Sequence, residues 1–92
     1  MLLIIARCTV KSDCRDAYIR IAEQMAAVSS AEDGCVSFRL LHHHLDPNSF
    51  VFVEQWRDQA AVDAHNQSVH FLELVPQMRE MRESGGMDIY EE

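Results

Sequence analysis

Residues 35–56, CVSFRLLHHHLDPNSFVFVEQW, decide the fold. Two runs rich in Val, Leu and Phe flank Leu45-Asp46-Pro47-Asn48. That segment has turn chemistry, because Pro fixes φ while Asp and Asn side chains bond their own backbone. The stretch reads as an antiparallel hairpin of strands Cys35–His44 and Ser49–Trp56. A four-residue loop sets His44 opposite Ser49. Arg39 then faces Glu54, Leu41 faces Phe52, His43 faces Phe50 and Ser37 faces Trp56. A strand repeats every two residues, so these all share one face. The other face collects Val36, Phe38, Leu40, Val51 and Val53, a surface suited to packing helices.

Upstream, Leu2–Val10 reads as a strand with Leu2, Ile4, Ala6, Cys8 and Val10 on a wholly apolar face. Leu3, Ile5, Arg7 and Thr9 form a mixed face. Ser12 is a candidate N-cap for a long helix carrying Cys14, Tyr18, Ile21, Ala22, Met25 and Val28 at helical spacing. Glu32 and Asp33 precede Gly34, which stops that helix. Downstream, Asp58 can cap a helix from Gln59 to about Asn66. Ser68 can cap another from Val69 to about Glu83, with Phe71, Leu72, Val75, Met78 and Met81 on one side. Pro76 is expected to kink or split it. Gly85-Gly86 breaks the chain, and Met87–Tyr90 makes a short final strand.

Strand, helix, strand, strand, helix, strand is the ferredoxin-like split β-α-β arrangement, an α+β fold. Residues 1–92 form one domain. Helices cover one sheet face and leave the other bare, with Leu3, Ile5, Phe50, Phe52 and Trp56 on it. An apolar face that large calls for a cover, and a second copy of the chain is the economical one. The space between two such sheets is one place for a small-molecule pocket, and the space between sheet and helices is another.

Composition bounds the function. The chain has 92 residues and a formal charge of −7, with 8 Lys and Arg against 15 Asp and Glu. An acidic chain lacks the basic face that nucleic acid or an anionic membrane requires. The apolar run Leu2–Ala6 is too short to span a bilayer. Cys8, Cys14 and Cys35 are odd in number and lack metal-ligand spacing, which argues against a disulfide framework and for a cytoplasmic setting. Each reads first as a small buried hydrophobe; Cys14, in a helix's first turn, is the candidate reactive thiol.

Three motifs carry a family resemblance. Ala31-Glu32-Asp33-Gly34-Cys35-Val36-Ser37-Phe38-Arg39-Leu40, Asp46–Trp56 and Ala60–Phe71 resemble, in order and spacing, three segments of the antibiotic biosynthesis monooxygenase (ABM) domain family. These are its E-x-G-C-x-x-(Tyr/Phe)-x-L strand, its D-P-x-x-F-x-x-x-E-x-W hairpin and its A-(Leu/Val)-x-x-H-x-x-S-x-H-F helical segment. The resemblance implies a dimeric α+β barrel. It implies one of the family's chemistries: cofactor-independent oxygenation of quinols or anthrones, isomerisation, or haem degradation. The haem-degrading branch matches poorly, since it carries Trp where His65 stands and its haem-ligand His falls near Val75.

Cofactor-free oxygenation needs a base to make an electron-rich anion, a dry pocket, and a donor for reduced oxygen. Histidine is the side chain poised for the first task. His65 and His70 flank a helix junction. They read either as helix-end and junction residues or as catalytic base candidates; as metal ligands they lack a carboxylate or third His at matching spacing. His43 is the third base candidate, because alternation sends it away from His42 and His44 toward the cavity face. Arg39, Phe52, Glu54 and Trp56 are candidate substrate-binding residues, with a cross-strand ion pair and plain core packing as their alternatives. No Gly-rich phosphate loop follows the first strand, so no cofactor is expected. The expected function is a homodimeric, cofactor-independent monooxygenase acting with O2 on a small aromatic or quinol substrate. The rivals are an isomerase using the same cavity and a non-catalytic metabolite-binding dimer.

Overall fold

The computed structural model describes residues 1–92. The chain runs β1 (Leu2–Val10), a 3-10 turn (Ser12–Cys14), α1 (Arg15–Ser30), β2 (Cys35–His42) and β3 (Ser49–Trp56). It continues through α2 (Gln59–Asn66), α3 (Val69–Glu80) and β4 (Arg82–Glu91). The strands form one antiparallel sheet in the order β2-β3-β1-β4, the ferredoxin-like arrangement that the pattern predicts. No helix is long and apolar enough to cross a membrane.

Local chemistry explains the elements. Tyr18, Ala22, Met25 and Ser29 recur at helical spacing along α1 and are buried against the sheet. Asp58 accepts a hydrogen bond from the Ala61 amide at 2.9 Å, and Ser68 accepts one from the Phe71 amide at 3.2 Å, so both expected caps form. Ser12 does not cap; its hydroxyl accepts from the Asn48 side chain at 3.2 Å. Gly34 has φ +85°, and a Cβ there would lie 2.6 Å from Ala61 Cβ. The turn between α1 and β2 thus needs glycine both for its backbone and for the close approach of α2.

The hairpin register differs from the sequence expectation by one residue. Phe38 pairs with Glu54, Arg39 with Val53, Leu40 with Phe52 and His42 with Phe50. The His43 amide donates to the Ser49 carbonyl at 2.8 Å, which leaves His44–Asn48 as the loop. The loop is therefore one residue longer than the four predicted. Asp46 organises it, its carboxylate accepting from the Asn48 amide at 2.9 Å and the Ser49 hydroxyl at 2.8 Å. A bulge at Val36 shifts the pairing again before Cys35 meets Trp56.

A one-residue slip turns β3 over relative to β2. Phe38 and Leu40 face the helices as expected. Phe50, Phe52, Glu54 and Trp56 join them, and all four are buried. They are not on the uncovered face where the longer pairing had put them. Val51 and Val53 lie instead on that bare face, with Leu3 and Ile5. Arg39 is exposed on it, so the expected Arg39–Glu54 pair does not exist.

The C-terminal third differs too. α3 runs unbroken through Pro76 and stops at Glu80. Its buried residues are Leu74 and Met78, while Leu72 is exposed. β4 is ten residues long and includes Gly85-Gly86, which pair with Cys8 and Arg7. As an edge strand, β4 tolerates glycines that a central strand would not.

Candidate active site

α3 packs chiefly on α1 and α2 rather than on the sheet. The gap beneath it is a cavity of about 310 Å³. Its middle is lined by apolar side chains, Phe38, Phe52, Phe71, Val75 and Met78 among them. Two ionisable side chains enter at one end, Glu54 from β3 and His65 from the last turn of α2.

His65 is only 4% exposed, although histidine on a short helix usually points to water. Its ring lies tilted against Trp56 at 4.6 Å and meets Phe71 edge-on at 5.1 Å. Its Nδ1 lies 2.6 Å from Oε2 of Glu32. His70 Nε2 reaches the same oxygen at 3.0 Å. Ser68 Oγ lies 3.2 Å from His70 Nε2, but spends its own proton on the His65 carbonyl at 2.7 Å. The His70 Nε2 must therefore carry a hydrogen. Glu32 thus accepts from two imidazoles, and His65 is held as the Nδ1–H tautomer.

That tautomer leaves the lone pair on His65 Nε2, which has no partner in the chain. His65 lines the cavity, and its Nε2 is not among the fully buried polar atoms of the chain. Burial lowers the His65 pKa, opposed by the hydrogen bond and charge of Glu32, which favours the neutral ring.

Glu54 shows the opposite effect. Burial, with the nearby Glu32 charge, raises its pKa to about 7 against a hydrogen bond from Trp56 Nε1 at 2.9 Å. Its second carboxylate oxygen has no partner in the chain, and Glu54 lines the cavity. A proton acceptor and a carboxyl still protonated near neutrality thus share one end of an apolar chamber.

Of the sequence-predicted residues, the fold brings together His65, His70, Phe52, Glu54 and Trp56. Phe52 and Glu54 line the cavity, and Trp56 supports both Glu54 and His65 from the core. His43 and Arg39 stand apart. His43 Nδ1 accepts from the amides of Leu45 and Asp46, each at 3.0 Å, and so organises its own loop.

Sequence spacing suggests no ligand set around the histidines, and folding brings Glu32 beside them. Glu32, His65 and His70 offer donor atoms within 4.8 Å of one another, the only trio in the chain that could hold a divalent ion. Glu32 was the residue missed. Its signal was an acidic side chain just beyond a helix C-terminus, where the dipole disfavours it.

The family model for antibiotic biosynthesis monooxygenase matches residues 1–77. The chain belongs to this family. Bacillus subtilis YcnE, named "Putative monooxygenase", is 31% identical over 88% of this chain and 85% of its own length. A Synechocystis protein, sll1783, is 32% identical over 80% of the chain, which spans half the length of that relative. A crystal structure of an antibiotic biosynthesis monooxygenase superposes with a TM-score of 0.95 at 29% identity, covering 100% of this chain and 98% of its own. The ABM domain thus accounts for the fold and for the order of the three motifs.

Proposed function

We propose that this ABM protein is a cofactor-independent monooxygenase of a small phenol or quinol, with His65 as the base. The observation that carries the reading is the 2.6 Å contact between His65 Nδ1 and Glu32, which leaves the Nε2 lone pair free on a ring that lines the same cavity as Glu54. This is the nucleophile-free part of triad logic, in which a carboxylate fixes the tautomer of a catalytic imidazole.

His65 Nε2 takes the phenolic proton, and the apolar walls keep water from quenching the resulting anion. The quinolate transfers electrons to O2, and a C–O bond forms at a ring carbon to give a peroxide. Protonation by Glu54 or the His65 imidazolium then lets the O–O bond break. For a quinol the balance is quinol plus O2 giving hydroxyquinone plus water. The substrate supplies all four electrons, two from its ring hydroxyls and two from the C–H bond that becomes C–OH.

Homodimerisation belongs to the same proposal. Leu3, Ile5, Val51 and Val53 leave the bare sheet face only half-buried, and a second copy would cover it.

The test is oxygen uptake with 1,4-dihydroxynaphthalene, measured above the uncatalysed rate. His65→Gln should lower turnover by about 100- to 10,000-fold, the usual worth of a positioned general base. Its melting temperature should stay near that of the parent. Turnover that survives in folded His65→Gln refutes the role. The Glu54 carboxyl also suits an isomerase, which would turn over without oxygen, so anaerobic activity would select that reading.

A further inference from the structure

We propose that Arg82 and Tyr18 form an anion-binding end of the cavity, so that the substrate is a two-ring aromatic hydroxy acid with its carboxylate on Arg82 and its phenol at His65. The assignment deepens the reading above and rests on it for the phenol end.

The cavity has a direction. Glu54 lies opposite Ile4 on β1, and Cys8 is four residues further along that strand. At 3.2–3.4 Å per residue the two levels are about 13 Å apart. α3 runs the same way, from Phe71 beside His65 to Arg79. The His65 end is acidic and imidazole-rich, whereas the far end is basic. In a chain of charge −7, two of the eight basic residues, Arg79 and Arg82, bring their side chains to this one chamber. Arg7 borders it as well, but its guanidinium lies on the bare face beside Gly86, engaged by Asp88 at 2.8 Å. Arg79 and Arg82 have no acidic partner and no side-chain hydrogen bond.

Arg82 is also seated. It is half-buried, and its guanidinium lies over Gly85 of the same strand, where a Cβ would come within 2.9 Å of Nη1 and 3.1 Å of Cζ. Glycine at 85 gives the guanidinium room to lie flat against β4, and its charge reaches Cys8 and Tyr18. Tyr18 is 2% exposed, and its hydroxyl meets the Cys8 thiol at 3.0 Å. That contact uses one hydrogen of the two available, so one donor remains for a ligand oxygen. A planar guanidinium beside a hydroxyl donor matches a carboxylate. A single ring is too short to reach from there to His65. The volume of about 310 Å³ suits a molecule of two fused rings.

The probes are 6-hydroxy-2-naphthoate and its neutral isostere 6-hydroxy-2-naphthamide, followed by titration calorimetry on the full chain. The parent should prefer the carboxylate by about 10- to 100-fold, the range for a hydrogen bond to a charged group. Arg82→Met should abolish that preference and leave amide affinity unchanged, and Arg82→Lys should restore part of it. Gly85→Ala, which displaces the guanidinium, should behave like Arg82→Met. Equal affinities in the parent, no binding of either probe at millimolar concentration, or a preference that survives Arg82→Met would each overturn the assignment. The two proposals fail separately. His65→Gln should lose turnover but keep the carboxylate preference. If that variant keeps both, the base falls and the anion site stands.

Discussion

Glu54→Gln should make this protein more stable, and only above a defined pH. The Glu54 carboxyl titrates at about 7 in the folded chain against an ordinary 4.5. Between those values the unfolded chain has released its proton while the folded chain still holds it. Stability therefore falls as pH rises through the window, and the loss is complete above pH 7. At 1.36 kcal/mol per pH unit it amounts to about 3 kcal/mol. Glutamine keeps an oxygen for Trp56 Nε1, has nearly the same volume and does not titrate. Urea unfolding of both proteins from pH 4 to 9 should give curves that nearly coincide at the acid end. They should separate to about 3 kcal/mol by pH 8, in favour of Glu54→Gln. For a domain this size that corresponds to a melting-temperature gain of about 12–24 °C. A stability difference that does not change with pH would refute the reasoning, and so would a variant less stable than the parent at pH 8.

Glu32→Gln should weaken the hold on both imidazoles, costing about 1–3 kcal/mol in denaturant unfolding and lowering oxygen uptake with 1,4-dihydroxynaphthalene more than stability alone explains. Gly34→Ala should destabilise by about 1–3 kcal/mol in thermal unfolding, because alanine disfavours positive φ and its Cβ would collide with Ala61. Analytical ultracentrifugation at low micromolar concentration should show a dimer, and a stable folded monomer would remove the bare-face argument.

The elements were legible because their signals are local. β1 and β3 appear at the residues expected, and Asp58 and Ser68 cap the helices that follow them. The register was not legible, since it depends on how the loop closes. Asp-Pro-Asn declares a turn but not whether four or five residues make it. The choice is settled by the Asp46 side chain, which bonds Asn48 and Ser49 at once. A one-residue difference there decides whether Phe52, Glu54 and Trp56 lie in the core or on the bare face. Gly85-Gly86 misled for a related reason. Glycine marks a break when only the backbone is considered, yet here β4 continues and the missing side chain makes room for Arg82.

The site was half legible. His65 stood out as the histidine of a family motif, and its position near a helix end was correct. Its partner lies 33 residues away, beyond the reach of any spacing rule for ligands or ion pairs. What brings them together is the topology. α1 ends where α2 begins to pack, and the Gly34 turn fits against Ala61 closely enough to fix Glu32 beneath α2. An acidic residue past the end of a helix opposes the dipole, a cost that a donor from elsewhere in the fold offsets. His65 and His70 are those donors, and both bond one oxygen. The same carboxylate reaches further, because its charge helps to raise Glu54 and so keeps a proton on the second cavity group. In the proposed reaction Glu32 would act on both ends of the proton transfer without lining the cavity itself. It holds the tautomer of His65 by a hydrogen bond and raises the Glu54 carboxyl by its charge.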